Sequence, residues 1–220
     1  MRDSRHILDI RKRQIEADLG ILFQRVENAI IKAMDYLGSH DLEACERLVR
    51  DDKELNQLRR AVEQDCLVVI ASQQPVAHDL RELITDMRIA SELERMGDYA
   101  SDIAASIQRM DDANLEGVGL DTVLEMSLLC RRMLADVLAA HQQDDAALAR
   151  QVGAMDDQLD ALMHQIVEVI MAAMRADSTL VNNGSRMLWI AHNLERCGDR
   201  ATNIAEQIIF CVEGDVEELD

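Results

Sequence analysis

A passage of eleven residues occurs twice in this chain. Glu94-Arg95-Met96-Gly97-Asp98-Tyr99-Ala100-Ser101-Asp102-Ile103-Ala104 returns as Glu195-Arg196-Cys197-Gly198-Asp199-Arg200-Ala201-Thr202-Asn203-Ile204-Ala205, at an offset of 101. A weaker echo pairs Asp52-Lys53-Glu54-Leu55-Asn56 with Asp156-Asp157-Gln158-Leu159-Asp160, at a spacing of 104. Common solenoid units run about 20–50 residues, so a period near 100 points instead to two copies of one larger unit. Half of the 220 residues is enough for a small domain. The division falls between 1–113 and 114–220, inside the weak stretch Asp111 to Gly119, where glycines and aspartates cluster.

Each half reads as three helices. Ile15, Leu19, Leu22, Val26, Ile30 and Leu37 share one face of a long first helix, which Gly38-Ser39-His40-Asp41 breaks, with Asp41 as the next N-cap. A second helix carries Leu48, Leu55, Val62, Cys66 and Val69, and Gln73-Gln74-Pro75 ends it, the proline being tolerated in the first turn of the next helix. A third carries Leu80, Leu83, Met87, Ala90 and Leu93 and continues past Ile107. The second half repeats the plan over about Leu120–Ala140, Asp144–Ala176 and Thr179–Cys211, with Asn182-Asn183-Gly184 blurring the start of the last helix. The fold class is therefore all-α, two three-helix bundles joined by short antiparallel connections. One proline, 12 methionines and 2% aromatics suit helices better than a β-sandwich.

Composition narrows the function. Acids outnumber bases 42 to 23, a formal charge of -19, which opposes sequence-independent binding of nucleic acid and adhesion to anionic lipid. No apolar run approaches the roughly 18 residues of a membrane span, and the opening Met1 to Leu8 does not resemble a secretory leader. The five cysteines (Cys45, Cys66, Cys130, Cys197, Cys211) never take a C-x-x-C spacing and read as small core residues of a reduced, cytoplasmic chain.

The repeated acids are the informative feature. Glu94, Asp98 and Asp102 stand four residues apart along one helix face, as do Asp156 with Asp160 and Glu195 with Asp199. Like charges at this spacing destabilise by roughly 0.2–0.5 kcal/mol a pair. Glu94 follows Met87 by seven residues, so it lies in line with the apolar stripe, and Asp52 falls between Leu48 and Leu55. Carboxylates placed there are partly buried and need compensation. Gly97 and Gly198 interrupt the same helices at a cost close to ~1 kcal/mol each against alanine, which implies a close approach by another group. Three remedies fit the acids: protonation with raised pKa, salt bridges from Arg59, Arg60, Arg95 or Arg196, or a hard cation such as magnesium, manganese, calcium or iron.

ELERMGD (Glu92 to Asp98), NLERCGDRATNIAE (Asn193 to Glu206) and QQPVAHDLR (Gln73 to Arg81) resemble the motifs of the PhoU family, accessory and regulatory proteins of phosphate-specific transport. The resemblance covers almost the whole chain. It implies a pseudo-twofold pair of bundles with metal, often in multinuclear clusters, at the E/D-x-x-x-D motifs. The first site would use Asp52, Asn56, Glu94, Asp98 and Asp102, the second Asp156, Asp160, Glu195, Asp199 and Asn203. Asn56 and Asn203 stand where a carboxylate is expected, and the second half lacks the Pro-x-x-x-Asp-Leu-Arg segment, so the sites need not fill alike. Iron, zinc, manganese or magnesium are the metals implied.

His164 and His192 flank the second acidic set and could add a softer ligand favouring zinc; a plain interface or surface role is the simpler reading. Arg60 stands where His164 has its first-half counterpart. Trp189, the only tryptophan, reads as core. No histidine has a glutamate three residues before it, which argues against a di-iron oxidase, and no phosphate loop or hydrolase elbow is present. The resemblance implies a non-enzymatic, cytoplasmic negative regulator of the phosphate-starvation response that modulates phosphate uptake. It would act as a homodimeric adaptor between the phosphate ABC transporter and a sensor histidine kinase. Two other readings remain open: a metal-dependent phosphohydrolase or metal-storage bundle, and a structural adaptor whose acids pair with arginines.

Overall fold

The computed structural model describes residues 2–111 and 118–219, with side chains from His6 onward. Among these residues every regular element is helical: α1 (Arg2–Ser39), α2 (Leu42–Asp51), α3 (Lys53–Gln73), α4 (His78–Ile107), α5 (Leu120–Gln143), α6 (Ala146–Ala176), a 3-10 turn (Ser178–Leu180) and α7 (Val181–Glu213). The division expected between 113 and 114 falls among residues 112–117, outside the described residues.

The helix starts follow local chemistry. Asp41 caps α2 by accepting the Ala44 N–H at 2.9 Å, and Asp145 caps α6 by accepting from Ala147 and Leu148. Pro75 lies in the connection between α3 and α4 and not in the first turn of a helix, because α4 begins only at His78. Gln74 and Ala77 around it take positive φ, 49° and 51°. The expected second helix of the first half is interrupted at Asp52. Its backbone stays helical (φ -52°, ψ -33°), but its carbonyl is shared between the N–H groups of Leu55 and Asn56 at 2.9 and 3.4 Å. The break sets Asp52 at a joint, where its carboxylate is half-buried.

The two units bury the same positions. Leu19, Leu22, Val26 and Ile30 of α1 match Val123, Met126, Cys130 and Leu134 of α5 at the spacing of the Asp52–Asp156 pair, and all are buried. α1, α2–α3 and α4 form one three-helix bundle, and α5, α6 and α7 the other. All five cysteines are free and buried, as core residues should be.

The bundles meet mainly through α4 and α7, which run antiparallel. Arg81 donates from Nε to the Cys211 carbonyl at 3.2 Å, Thr85 to the Gln207 carbonyl at 3.3 Å, and Arg200 reaches Glu92 at 3.1 Å. Tyr99 bonds Arg196, so the two repeated motifs cross one another. The pseudo-twofold relation of the halves follows from this crossing. α1 also packs on α5, and His141 of α5 meets the almost fully buried Asp86 of α4 at 2.9 Å. Asn182 and Asn183, whose position the sequence left unsettled, lie in the first turn of α7. They bond the carboxylate and backbone N–H of Asp111, both at 2.9 Å, anchoring the chain beyond α4.

Candidate metal centre

The two glycines make the site possible. A Cβ on Gly97 would stand 2.4 Å from Leu55 Cδ1, and Asp52 Oδ1 lies 3.8 Å from the same point. A Cβ on Gly198 would stand 2.3 Å from Leu159 Cδ2 and 2.9 Å from Asp156 Oδ1. The close approach expected from sequence is therefore that of the neighbouring helix's leucine and aspartate, in both halves. Without side chains on these turns, α3 and α6 sit deep enough to bring Asp52 toward α4 and Asp156 toward α7.

In the first half, Asp52, Asn56 and Glu94 are half-buried, while Asp98 and Asp102 reach solvent. One oxygen of Asp52, Oδ2, accepts from the Asn56 amide at 3.5 Å; the other, Oδ1, is buried with no hydrogen-bond partner. Glu94 meets Arg59 at 3.3 Å, and Arg59 also holds Glu63 at 2.6 Å. Burial, then the charges of Asp52, Glu94 and Asp102, push the Asp98 carboxyl up to about 6, against the pull of Arg59. Asp52 is raised by burial and by Glu94 and Asp102, while a hydrogen bond from Asp98 works the other way. Asp52, Glu94, Asp98 and Asp102 thus feel one another's charge, as facing acids on adjacent helices must.

In the second half, Asp156, Glu195, Asp199 and Asn203 are half-buried and Asp160 is exposed. Glu195 is raised by burial and by Asp199 and Asp160, while His192 and Arg196 lower it. Arg196 stands 3.5 Å from Asp199, and His192 Nδ1 3.2 Å from Glu195 Oε2. Asn203 turns its amide toward Glu92 of the other bundle, at 3.4 Å, beside Arg200. His164 is exposed on α6.

The donors suit a hard cation: carboxylate and amide oxygens, one of them buried without a partner. Among the described residues no three His, Cys, Asp or Glu side chains are placed to hold an ion as they stand. A cation bound there would offset the mutual repulsion of the acids. The residues that would hold one are Asp52, Glu94, Asp98 and Asp102 in the first half and Asp156, Asp160, Glu195 and Asp199 in the second, with Asn56 and Asn203 beside them. Arginines also do part of the compensating work, Arg59 in one half and Arg196 in the other.

One sequence expectation is corrected. Trp189 is 51% exposed and does not lie in the core; it tilts against His192 with ring centroids 5.6 Å apart. It precedes His192 by three residues and Glu195 by six, and the periodicity that buries Ile190 and Leu194 leaves it outside. Two charged contacts escaped the sequence reading, Glu92–Arg200 and Asp86–His141. Arg200 stands where the first repeat has Tyr99, and a departure of that kind within a repeat was the only available signal.

A tandem helical protein with an acidic seam in each repeat, crossed at two glycines, is the class that fold and site define. The chain belongs to the PhoU family: the PhoU domain model matches residues 19–107 and 123–208. It is 31% identical to a phosphate-specific transport system accessory protein PhoU homolog of Streptococcus pneumoniae, over 98% of this chain and 100% of that one. A homolog of the same name from Clostridium acetobutylicum is 29% identical over 99% of each chain. The crystal structure of the phosphate transport system regulatory protein PhoU from Streptococcus pneumoniae superposes with a TM-score of 0.89 at 29% identity, covering 96% of this chain and 99% of that one. PhoU from Pseudomonas aeruginosa gives 0.88 at 26% identity, covering 94% and 99%.

Proposed function

We propose that this protein is an accessory regulator of phosphate transport, not an enzyme, and that cations at the two acidic seams set the shape of its partner-binding surface. The names its relatives carry support the first part; the buried, partnerless Oδ1 of Asp52, set over Gly97, carries the second. A cation supplies positive charge that cancels the repulsion among the acids. Asp52 comes from the joint that opens α3 and Asp156 from α6, with Glu94 and Glu195 from α4 and α7, so shared ligation would lock the second and third helices of each bundle. In this reading the chain works in the cytoplasm as a dimer, linking a phosphate ABC transporter to a sensor histidine kinase and holding the kinase inactive when phosphate is plentiful. No helix among the described residues is long and apolar enough to cross a membrane, which suits an adaptor docking on membrane partners.

Elemental analysis of the untagged protein, before and after chelation, tests the cation. Replacing Asp98 and Asp199 by alanine should lower metal affinity by at least the roughly 10–100-fold that loss of an outer-shell partner alone costs. Full metal content together with full repression in that variant would sink the proposal. The Arg59–Glu94 and Arg196–Asp199 contacts favour a second reading, a metal-free adaptor whose acids are balanced by arginines. That reading is supported instead if the purified protein holds no metal and is indifferent to chelator.

A further inference from the structure

A formal charge of -19 opposes contact between two copies of this chain wherever acids dominate, and one face is exempt. A groove of about 490 Å³ runs between α5 and α6, and its lining holds one acid, Glu125, and one base, Arg132. Between these two on α5 lie Leu128 and Leu129, with Ala161 and Leu162 of α6 across the groove. Leu128 is 61% exposed, and the exposed Leu124 and Val169 continue the apolar band along the same two helix faces. The matching face of the first repeat differs. At the spacing that relates Asp52 to Asp156, Gln24, Arg25 and Gln57 replace Leu128, Leu129 and Ala161, and Arg25 bridges that groove to Glu54. The open apolar groove therefore belongs to the second repeat alone.

We infer that this face is the contact between two copies of the chain, with α5 of one antiparallel to α5 of the other and a twofold axis passing beside Leu128 and Leu129. The charges argue for a second copy as the occupant, because the face is complementary to itself. Glu125 and Arg132 stand at equal distances on either side of Leu128 and Leu129, so an antiparallel twofold sets each Glu125 against the Arg132 of the other copy. Both are available for it. Glu125 enters no ion pair among the described residues, and Arg132, 73% exposed, lies only within 3.9 Å of Asp136. The same operation places each Leu128 over the groove of the other copy, against Leu129, Ala161 and Leu162, as a knob enters a hole. The next charges outward, Asp121 and Asp136, would oppose one another in a near-parallel pair, so the helices cross at the steeper angle of about 50° common in globular proteins and part there. The inference rests on the dimeric reading above, whose interface it names, and makes no use of the cation. Pairing through the second repeat leaves the first repeat of each copy uncovered by this contact.

Sedimentation equilibrium of the full, untagged chain over a range of concentrations tests the interface. A monomer–dimer equilibrium is expected in the parent. Leu128→Glu, at an exposed position, should keep its helical content and remain monomeric, since each dimer would set two carboxylates against apolar walls. Glu125→Arg and Arg132→Glu each bring like charges together twice across the twofold, and each should weaken the dimer about tenfold or more. Mixed together, these two variants should pair again as a heterodimer, because one offers two bases to the two acids of the other. A dimer that survives Leu128→Glu, or charge variants whose mixture fails to pair, overturns this interface and leaves the dimeric reading standing. A parent chain that stays monomeric at every concentration overturns both and leaves the groove to a partner of another kind.

Discussion

Arg200 of α7 and Glu92 of α4 stand 3.1 Å apart across the joint between the two bundles, with only 12% and 18% of their side chains exposed. Asn203 donates to the same Glu92 oxygen, so one carboxylate receives two donors from the opposite repeat. The contact has no equivalent at the symmetric position, where Tyr99 meets Arg196 instead. Two copies of one unit have thus been made dependent on each other by an asymmetric polar clasp.

Breaking that clasp from one side leaves a charge half-buried without its partner. Arg200→Ala or Glu92→Ala should each destabilise by about 2–3 kcal/mol. For a chain of this size that is a fall in melting temperature of roughly 4–12 °C. Removing both with apolar residues of similar volume should cost less than the two single losses added. Calorimetry on the four proteins of the cycle decides it; additive losses would mean that the two residues do not interact.

Adding a methyl group at the crossing glycines should be costly in both halves. Gly198→Ala meets both Leu159 and a carboxylate oxygen of Asp156, whereas Gly97→Ala meets only Leu55 at comparable range. Overpacking of this kind costs about 1–3 kcal/mol, and Gly198→Ala should be the worse of the two. It should also weaken metal retention at the second seam by moving Asp156. Equal stability of the two alanine variants and the parent would show that the leucines yield freely.

The chelated protein should show two separate windows of pH dependence. Asp98, raised to about 6, keeps a proton in the folded state that the unfolded chain has already released. Stability from this group is therefore complete below the ordinary value of 3.8 and is lost as pH rises through 6. His141 is opposed by burial but raised overall by the hydrogen bond and charge of Asp86, with help from Glu16 and Asp144. Its contribution is present below 6.5 and disappears as pH climbs through the higher folded value. Denaturant midpoints against pH should then flatten in the lower window for Asp98→Asn and in the upper window for His141→Gln. An unchanged profile in both variants would remove these groups from the account.

The exposed indole is a ready reporter. Trp189 should emit as a solvent-exposed tryptophan and be quenched readily by acrylamide, and it touches His192, which stands 3.2 Å from Glu195. Loading the second seam with manganese should dim that emission in the parent and leave it unaltered in Glu195→Gln/Asp199→Ala. A blue-shifted, unquenchable spectrum would instead restore the buried position that its apolarity alone suggests.

Helices and their pairing into two like units were legible because they rest on local periods. Apolar residues at 3.6-residue spacing, caps such as Asp41, and an eleven-residue passage occurring twice need no knowledge of what lies across the core. The acid spacings were legible for the same reason, and so was the need for compensation at Asp52 and Glu94, since both lie in line with buried leucines. What touches Gly97 was beyond reach, because Leu55 and Asp52 arrive from another helix at a depth that packing sets. The break at Asp52, the turn of Asn203 toward Glu92 and the exposure of Trp189 share that origin. The sequence determined which elements form and which charges had to be answered. The crossing of α4 over α7 decided which residue answers each, because a partner in space is chosen by the angle and depth of helix packing, which no single helix encodes.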